Sequence, residues 1–253
     1  SAELNIEYRR AEDRREIAID LMQNIGKRPK PFHEETSINN SPEALANRIR
    51  KLLGITIETQ AAWRDDRIAF NTWRGCIEQL DILVFQSSDV SMGQMRGYSM
   101  YFDVLPIIGI NRKDSYSARC FSILHELVHI MLRTGSLCDI HENESSVISS
   151  HDRRIEVFCN NVAGCTLVPK AHFIKEEELE AAGYDSEDGD RAISKLSKKY
   201  SVSREVIVRR MFNLGLVDKS FYLLKRAKYS KQYKPSKAGF VHPVTKALSI
   251  AGK

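Results

Sequence analysis

The stretch FSILHELVHIML, residues 121–132, constrains the fold more than any other part of the chain. Apolar side chains recur along it at helical spacing: Phe121, Leu124, Val128, Met131 and Leu132. This pattern predicts a buried helix over about residues 117–133. His125 and His129 stand four positions apart, and Glu126 directly follows the first. Since residues i and i+4 lie on one helix face, both imidazoles can reach a common point.

The spacing His-Glu-x-x-His predicts a zinc site on this helix. Catalytic zinc takes neutral imidazole nitrogens and combines three protein ligands with a water. The carboxylate of Glu126 can take a proton from that water and pass it to a leaving amine. The alternative is that His125 and His129 are ordinary core histidines, because a chance match in a chain of this length occurs roughly once in a hundred.

A site of this kind needs a third protein ligand. The extended metzincin pattern is excluded, because it requires glycine and histidine where the chain has Leu132 and Gly135. The downstream candidates are His141, Glu142, Glu144, His151, Asp152 and Glu156. We favour Glu156, since it lies in the next predicted helix, about 152–167, which is a more rigid platform than the preceding loop. Glu142 and Glu144 remain alternatives. Asn160 shares the face of Glu156 and could support the site by a hydrogen bond.

Helices and a few short strands precede this region. We expect helices over 6–25, from Ser41-Pro42 to Gly54, and in AAWRDDRIAFNTWRGCIEQ. The expected strands are ITIET, DILVFQ, and about residues 97–104 and 106–111. Pro106 lacks an N–H, which indicates an edge or a kink, and an exposed edge could accept a substrate strand. IKEEELEAAG is expected to be an acidic helix. Helices, strands and helices in this order fit an α+β fold.

The charge distribution divides the chain. Residues 191–253 carry 16 lysines and arginines against two acids, a net charge of +14, whereas residues 1–190 carry −9. DRAISKLSKKYSVSREVIVRRMFNLGLV is typical of a helix-turn-helix, with a turn at Ser201 and a cap at Ser203. The basic side chains that could contact nucleic acid or a partner are Lys198, Lys199, Arg204, Arg209 and Arg210. Helix packing and a solvated lysine-rich tail are the alternatives.

The five cysteines include no C-x-x-C pair, and their odd number argues against a disulfide framework. Reduced thiols indicate a cytoplasmic protein. The charged N-terminus does not resemble a signal peptide, and no apolar run is long enough for a membrane span. We therefore expect no membrane association.

Two stretches together, RCFSILHELVHIML and RRIEVFCNNVAGCTLVP, resemble the ImmA/IrrE family of bacterial and phage metallo-endopeptidases. Arg119 and Phe121 match the lead-in to the family's first motif. The positions that match its second motif are Glu156, Asn160, Ala163, Leu167 and Pro169. The departures, at Ser122, Leu124, Cys159 and Val162, fall on packing positions. The clear match covers about residues 40–215.

The resemblance implies a gluzincin-like zinc peptidase core, with Zn²⁺ held by His125, His129 and Glu156. It implies site-specific cleavage of a protein partner, often a helix-turn-helix repressor, which relieves repression of a mobile element or a stress regulon. The alternative is a DNA- or repressor-binding regulatory module, or a toxin–antitoxin partner, with structural zinc or none. Candidates for a second oxyanion donor beside the metal are Tyr98, Tyr116, Arg119, His151 and His172.

We accordingly expect four segments. Residues 1–40 form an N-terminal helix and connector, and residues 41–175 form the zinc peptidase core. Residues 176–230 form a helical, helix-turn-helix-like domain. Residues 231–253 form a basic tail, and its final ALSIAGK is typical of the beginning of a helix that is cut off.

Overall fold

The structure, a computed structural model, describes residues 1–134, 136–138, 149–180 and 186–232. Within these ranges the helices are α1 (Ala2–Asn24), α2 (Pro42–Leu52), α3 (Ile57–Ala61), α4 (Asp66–Glu78), α5 (Tyr116–Met131), α6 (Ser150–Leu167), α7 (Lys170–Phe173), α8 (Glu187–Tyr200), α9 (Arg204–Asn213) and α10 (Lys219–Gln232). A 3₁₀ helix spans Glu177–Glu180. The strands are β1 (Leu83–Ser87), β2 (Gly97–Met100), β3 (Ile107–Asn111) and β4 (Ser136–Cys138). The chain is thus a mixed α+β protein with a small sheet.

Serine caps determine where the central helices begin. The side chain of Ser115 accepts a hydrogen bond from the backbone N–H of Ala118 at the start of α5. Ser149 does the same for Asp152 at the start of α6. Each cap satisfies one of the backbone donors that a helix leaves free at its first turn. The helices predicted over 117–133 and 152–167 are confirmed.

The sheet has the strand order β1-β3-β2-β4. β1 runs parallel to β3, and β2 is antiparallel to both β3 and β4. The expectation of an edge at Pro106 is wrong, because β3 begins at the next residue and is hydrogen-bonded on both sides. Pro106 needs no N–H there, and its carbonyl accepts from Leu83. The backbone does bend at this point, since Leu105 has a φ of 51°.

The two faces of the sheet pack against different helices. Ile108 and Ile110 belong to the large core formed with α4, α5 and α6. Ile107 faces the opposite way, into a smaller cluster with Leu4 and Ala11 of α1. This alternation follows from the two-residue period of a strand. The large core continues through Ile207 of α9 to α10, so the segments predicted at 41–175 and 176–230 contribute to one hydrophobic cluster.

Two local expectations were wrong. ITIET contains no strand, because Thr56 caps α3 by accepting a hydrogen bond from the N–H of Thr59. IKEEELEAAG does not form one helix in its described part. Glu176 instead turns inward, where its carboxylate accepts hydrogen bonds from Tyr200 and Lys199, and only the short 3₁₀ helix follows.

The helices predicted on either side of residue 201 are confirmed as α8 and α9. Ser201 adopts the left-handed conformation between them, with φ 52° and ψ 46°, which glycine would adopt with less strain. Cys76, Cys120, Cys159 and Cys165 are free thiols. None of the helices in the described ranges is long and apolar enough to cross a membrane.

Candidate metal centre

The middle of α5 carries three polar side chains inside an apolar helix. His125, Glu126 and His129 are all buried, although neighbouring positions of α5 are filled by leucine, isoleucine and valine. The Nε2 atoms of His125 and His129 lie 3.1 Å apart. The two rings therefore converge on one point, as their spacing of four residues predicts.

Helix α6 brings a carboxylate to the same point. Glu156 Oε2 lies 3.3 Å from His125 Nε2, and Glu156 Oε1 lies 3.2 Å from His129 Nε2. The three potential ligand atoms lie within 4.8 Å of one another, so this group could hold a metal ion. The Glu156 side chain is 35% exposed, whereas both histidines are almost inaccessible. The Glu156 carboxylate therefore forms the solvent-facing side of the group.

Two other ligand candidates lie in the described part of the chain, and neither joins this group. His151 and Asp152 lie in the first turn of α6 and are exposed. His141, Glu142 and Glu144 lie outside the described residues. Among the residues that the structure does describe, His125, His129 and Glu156 are the one group found that could hold a metal.

The electrostatic environment keeps Glu156 ionised. Burial alone raises the pKa of its carboxyl, but hydrogen bonds from His125 and His129, together with their positive charge when protonated, outweigh it and hold the pKa well below its usual range. An ionised carboxylate is the form that binds a cation.

Thr134 supports His129 from the other side of its ring. His129 Nδ1 lies 3.3 Å from Thr134 Oγ1, and the same hydroxyl donates to the backbone carbonyl of His129. The hydroxyl oxygen therefore accepts from Nδ1–H. In neutral imidazole this tautomer has its lone pair on Nε2, the atom that faces Glu156 and His125 and that a metal ion would bind. Sequence reasoning missed Thr134, because it follows α5 and belongs to no motif.

Asn160 and the candidate oxyanion donors stay less defined. Asn160 is half-buried one turn after Glu156, and within the described ranges no hydrogen bond joins it to the metal ligands. Its supporting role stays a prediction. His151 and His172 are exposed.

The three other candidates for the oxyanion donor make packing or hydrogen-bond contacts within the fold. Tyr98 is fully buried and packs edge-to-face on Tyr8 of α1. Arg119 donates to the carbonyls of Arg112 and Asp114, and its guanidinium lies 4.4 Å from the ring centre of Tyr116. Tyr98, Arg119 and Tyr116 thus stabilise the sheet and the start of α5.

The basic residues proposed for nucleic-acid or partner contact differ in availability. Arg210 was a wrong candidate: it is buried, and it binds the carbonyl of Val168 and the carboxylate of Glu43. The remaining candidates are exposed or half-buried, namely Lys198, Lys199, Arg204 and Arg209.

Most of these remaining side chains already have partners. Lys199 pairs with Glu176, and Arg209 pairs with Glu205 at 3.0 Å. Arg204 donates to Gln232 of α10 and lies over the ring of Tyr229. Contact of this face with nucleic acid stays a prediction.

Comparison with known proteins assigns the chain to a family. The sequence profile of the peptidase M78 family, described as the IrrE N-terminal-like domain, matches residues 77–212. The match is more than half of the chain and includes both helices of the candidate metal centre. It begins later than residue 40, where the resemblance to the ImmA/IrrE family began. No curated protein matches the chain. The chain therefore belongs to the IrrE N-terminal-like family of peptidases.

Proposed function

We propose that the protein is a zinc-dependent endopeptidase that cuts a protein partner at a specific site. The observation that carries the proposal is the convergence of His125, His129 and Glu156 beside the buried carboxylic acid of Glu126. The family assignment supports a metallopeptidase role. Zinc, the endopeptidase activity and the partner are the proposed parts.

The spacing of the three donor atoms fits zinc. Zinc binds imidazole nitrogen and carboxylate oxygen at about 2.0–2.2 Å, so two ligands of a tetrahedral site lie roughly 3.4 Å apart. Here the two imidazole nitrogens lie 3.1 Å apart, and each lies 3.2 or 3.3 Å from one of the two carboxylate oxygens of Glu156. Two imidazoles and one carboxylate leave a fourth position for water, as in catalytic rather than structural sites. Thr134 adds the orienting hydrogen bond that zinc-binding histidines usually have.

When bound, zinc lowers the pKa of a water and polarises the scissile carbonyl. Glu126 then accepts a proton from the attacking water as the water oxygen bonds to the carbonyl carbon. The same carboxylic acid gives this proton to the amide nitrogen as the C–N bond breaks. Glu126 is fully buried, so bulk water does not compete for its proton.

We further propose that the substrate is a helix-turn-helix repressor, so that cleavage relieves repression in the cytoplasm. The ImmA/IrrE resemblance supports this substrate class. The free thiols among the described cysteines fit a reducing compartment. The alternative, a regulatory module that binds DNA or a repressor, has less support. The described basic side chains of α8 and α9 are largely paired within the chain. A structural zinc site would also leave Glu126 without a role, because such a site needs no general base.

The proposal is tested by comparing the wild type with Glu126→Gln. Each zinc-loaded protein is incubated with the repressor encoded nearest its gene, and the products are identified by mass spectrometry. We expect one cut by the wild type. Glu126→Gln should retain zinc but cleave about 10²- to 10⁴-fold more slowly, as expected for loss of a general base.

Two results would contradict parts of the proposal. If Glu126→Gln retains zinc and cleaves at the wild-type rate, Glu126 is not the base. If neither protein cleaves but both bind the repressor equally, the chain acts as the regulatory binding module.

A further inference from the structure

Strand β2 passes unusually close to Glu126 at Gly97. A Cβ atom added to Gly97 would lie 2.8 Å from Oε1 of Glu126, 3.2 Å from its Cγ and 3.4 Å from its Cδ. Real Cβ atoms essentially never approach another atom within 3.0 Å. Only glycine therefore permits the Glu126 carboxylate to occupy its position against β2.

The backbone of β2 cannot easily retreat from this contact. Gly97 is paired with Ile110 of β3 on one side and with Cys138 of β4 on the other. The adjacent Tyr98 is fully buried on the opposite face, with its ring 4.8 Å from that of Tyr8 of α1. A side chain at position 97 would therefore displace the end of Glu126, which is flexible, rather than the strand.

A second glycine of the sheet shows the opposite situation. A Cβ on Gly109 of β3 would lie 1.9 Å from Cε1 of Tyr98. That ring is fixed between the sheet and α1, so a side chain at position 109 would disturb the packing of the sheet. A side chain at position 97 would instead displace Glu126, the acid that we assign as general base. By contrast, a Cβ on Gly75 of α4 would meet nothing within 4 Å.

We propose that Gly97 is a positioning residue for peptide hydrolysis: its lack of a side chain holds open the place of the Glu126 carboxylate. This inference rests on the proposed function, in which Glu126 is the base. A general base must lie within about 2.6–3.2 Å of the proton that it takes. A methyl group at position 97 must push the carboxylate away by several tenths of an ångström, and a displacement approaching 1 Å costs about 10²-fold in rate.

The kinetic test compares Gly97→Ala, Gly75→Ala and the wild type, all zinc-loaded, on the repressor substrate. We expect Gly97→Ala to lower kcat about 10- to 100-fold with KM and zinc content nearly unchanged. Gly75→Ala should match the wild type. Full kcat in Gly97→Ala would overturn the proposal.

A shorter acid provides a rescue that a merely structural effect would not give. Glu126→Asp has no Oε1, so the 2.8 Å contact with the methyl of Gly97→Ala is lost and only the looser contact at Cγ, 3.2 Å, remains. Gly97→Ala should therefore reduce kcat much less in the Glu126→Asp background than in the wild type. An equal reduction in both backgrounds means that position 97 acts independently of Glu126, and the proposal fails.

A crystal structure of zinc-loaded Gly97→Ala separates this inference from the proposed function, because it requires no activity. We expect the Glu126 carboxylate to move while the backbone of β2 stays in place. A displaced strand with an unmoved carboxylate would refute the positioning role, even if the protein cleaves its substrate. Conversely, a moved carboxylate in a protein that cleaves nothing supports the geometry and refutes only the peptidase assignment.

Discussion

The α5–α6 pair and the α8–α10 helices both bury charged side chains, but they arrange them differently. In α5 and α6, His125, His129 and Glu156 turn toward one another and direct three lone-pair-bearing atoms at one point. In α8–α10, each buried charge meets a partner of opposite sign. Lys225, with a side chain only 3% exposed, donates to Asp190, and Arg210 binds a glutamate of α2.

The difference separates groups arranged for a ligand from groups arranged for the fold. A set of convergent donors such as His125, His129 and Glu156 could hold an added metal ion. A lysine or arginine that already binds a carboxylate binds phosphate groups more weakly, because the phosphate must first displace the internal carboxylate. The net charge of +14 after residue 190 therefore overstates how much free positive charge α8–α10 present.

The largest effect should come from removing one converging donor. We expect His129→Ala to lose zinc. Its activity should fall by more than about 100-fold, because removal of a hydrogen bond that merely supports a ligand already costs about 10- to 100-fold. Two donors remain, too few for a catalytic zinc site. Metal analysis of the purified protein and cleavage of the repressor measure both effects. Added zinc should raise the Tm of the wild type but not that of the variant.

The matched control is His151→Ala, which removes an exposed histidine from the first turn of α6. It should keep zinc and activity. If His129→Ala retains one zinc per chain, the convergence of α5 and α6 does not mark the metal site, and the comparison with α8–α10 loses its basis.

An intermediate effect should come from a buried charge of the second kind. Arg210→Met retains most of the side-chain volume but leaves Glu43 and the carbonyl of Val168 without their donor. We expect a loss of about 2 to 4 kcal/mol in the free energy of unfolding, measured by urea denaturation, with metal content unchanged. Arg209→Met is the control. Arg209 pairs with Glu205 one turn away and is more exposed, 24% against 4%, so its loss should cost under about 1 kcal/mol.

The potential metal ligands were accessible to sequence reasoning because helix geometry fixes them locally. A spacing of four residues places two histidines on one face, and a second motif that begins 27 residues after His129 indicated Glu156. Thr134 and Gly97 were not accessible. Their contacts depend on how the chain leaves α5 and how closely β2 approaches it, and tertiary packing alone determines both.

The fold shows the same division. Helical periodicity placed α5 correctly and serine caps placed α2 and α9 correctly, since each signal lies within a few residues of its effect. The position of β3 inside the sheet was mispredicted, because Pro106 was taken to lie within a strand rather than just before it. Arg210 was wrongly expected to be able to contact nucleic acid or a partner protein, because the groups that it binds, on Glu43 and Val168, are distant in sequence.

The smallest effect tests whether the partnered charges of α8–α10 stabilise the fold. Asp190 accepts hydrogen bonds from Lys225, Lys228 and Tyr229. Burial raises the pKa of its carboxyl, but these three donors outweigh burial and lower the pKa below its usual value. A depressed carboxyl pKa contributes stability that is present above the unfolded value of about 3.9. That stability is lost as the pH falls through the folded value.

Asp190→Asn should therefore lower the free energy of unfolding at pH 7 by about 1 to 2 kcal/mol, a value reduced by the partial exposure of Asp190. The difference from the wild type should shrink below about pH 4. Asp188→Asn, in the same first turn of α8, controls for the helix dipole, because Asp188 pairs with Arg191 on the open surface. A difference for Asp190→Asn that persists unchanged at low pH means that the lost contribution is packing rather than charge. In that case α8–α10 do not neutralise their charges in the way that distinguishes them from α5 and α6.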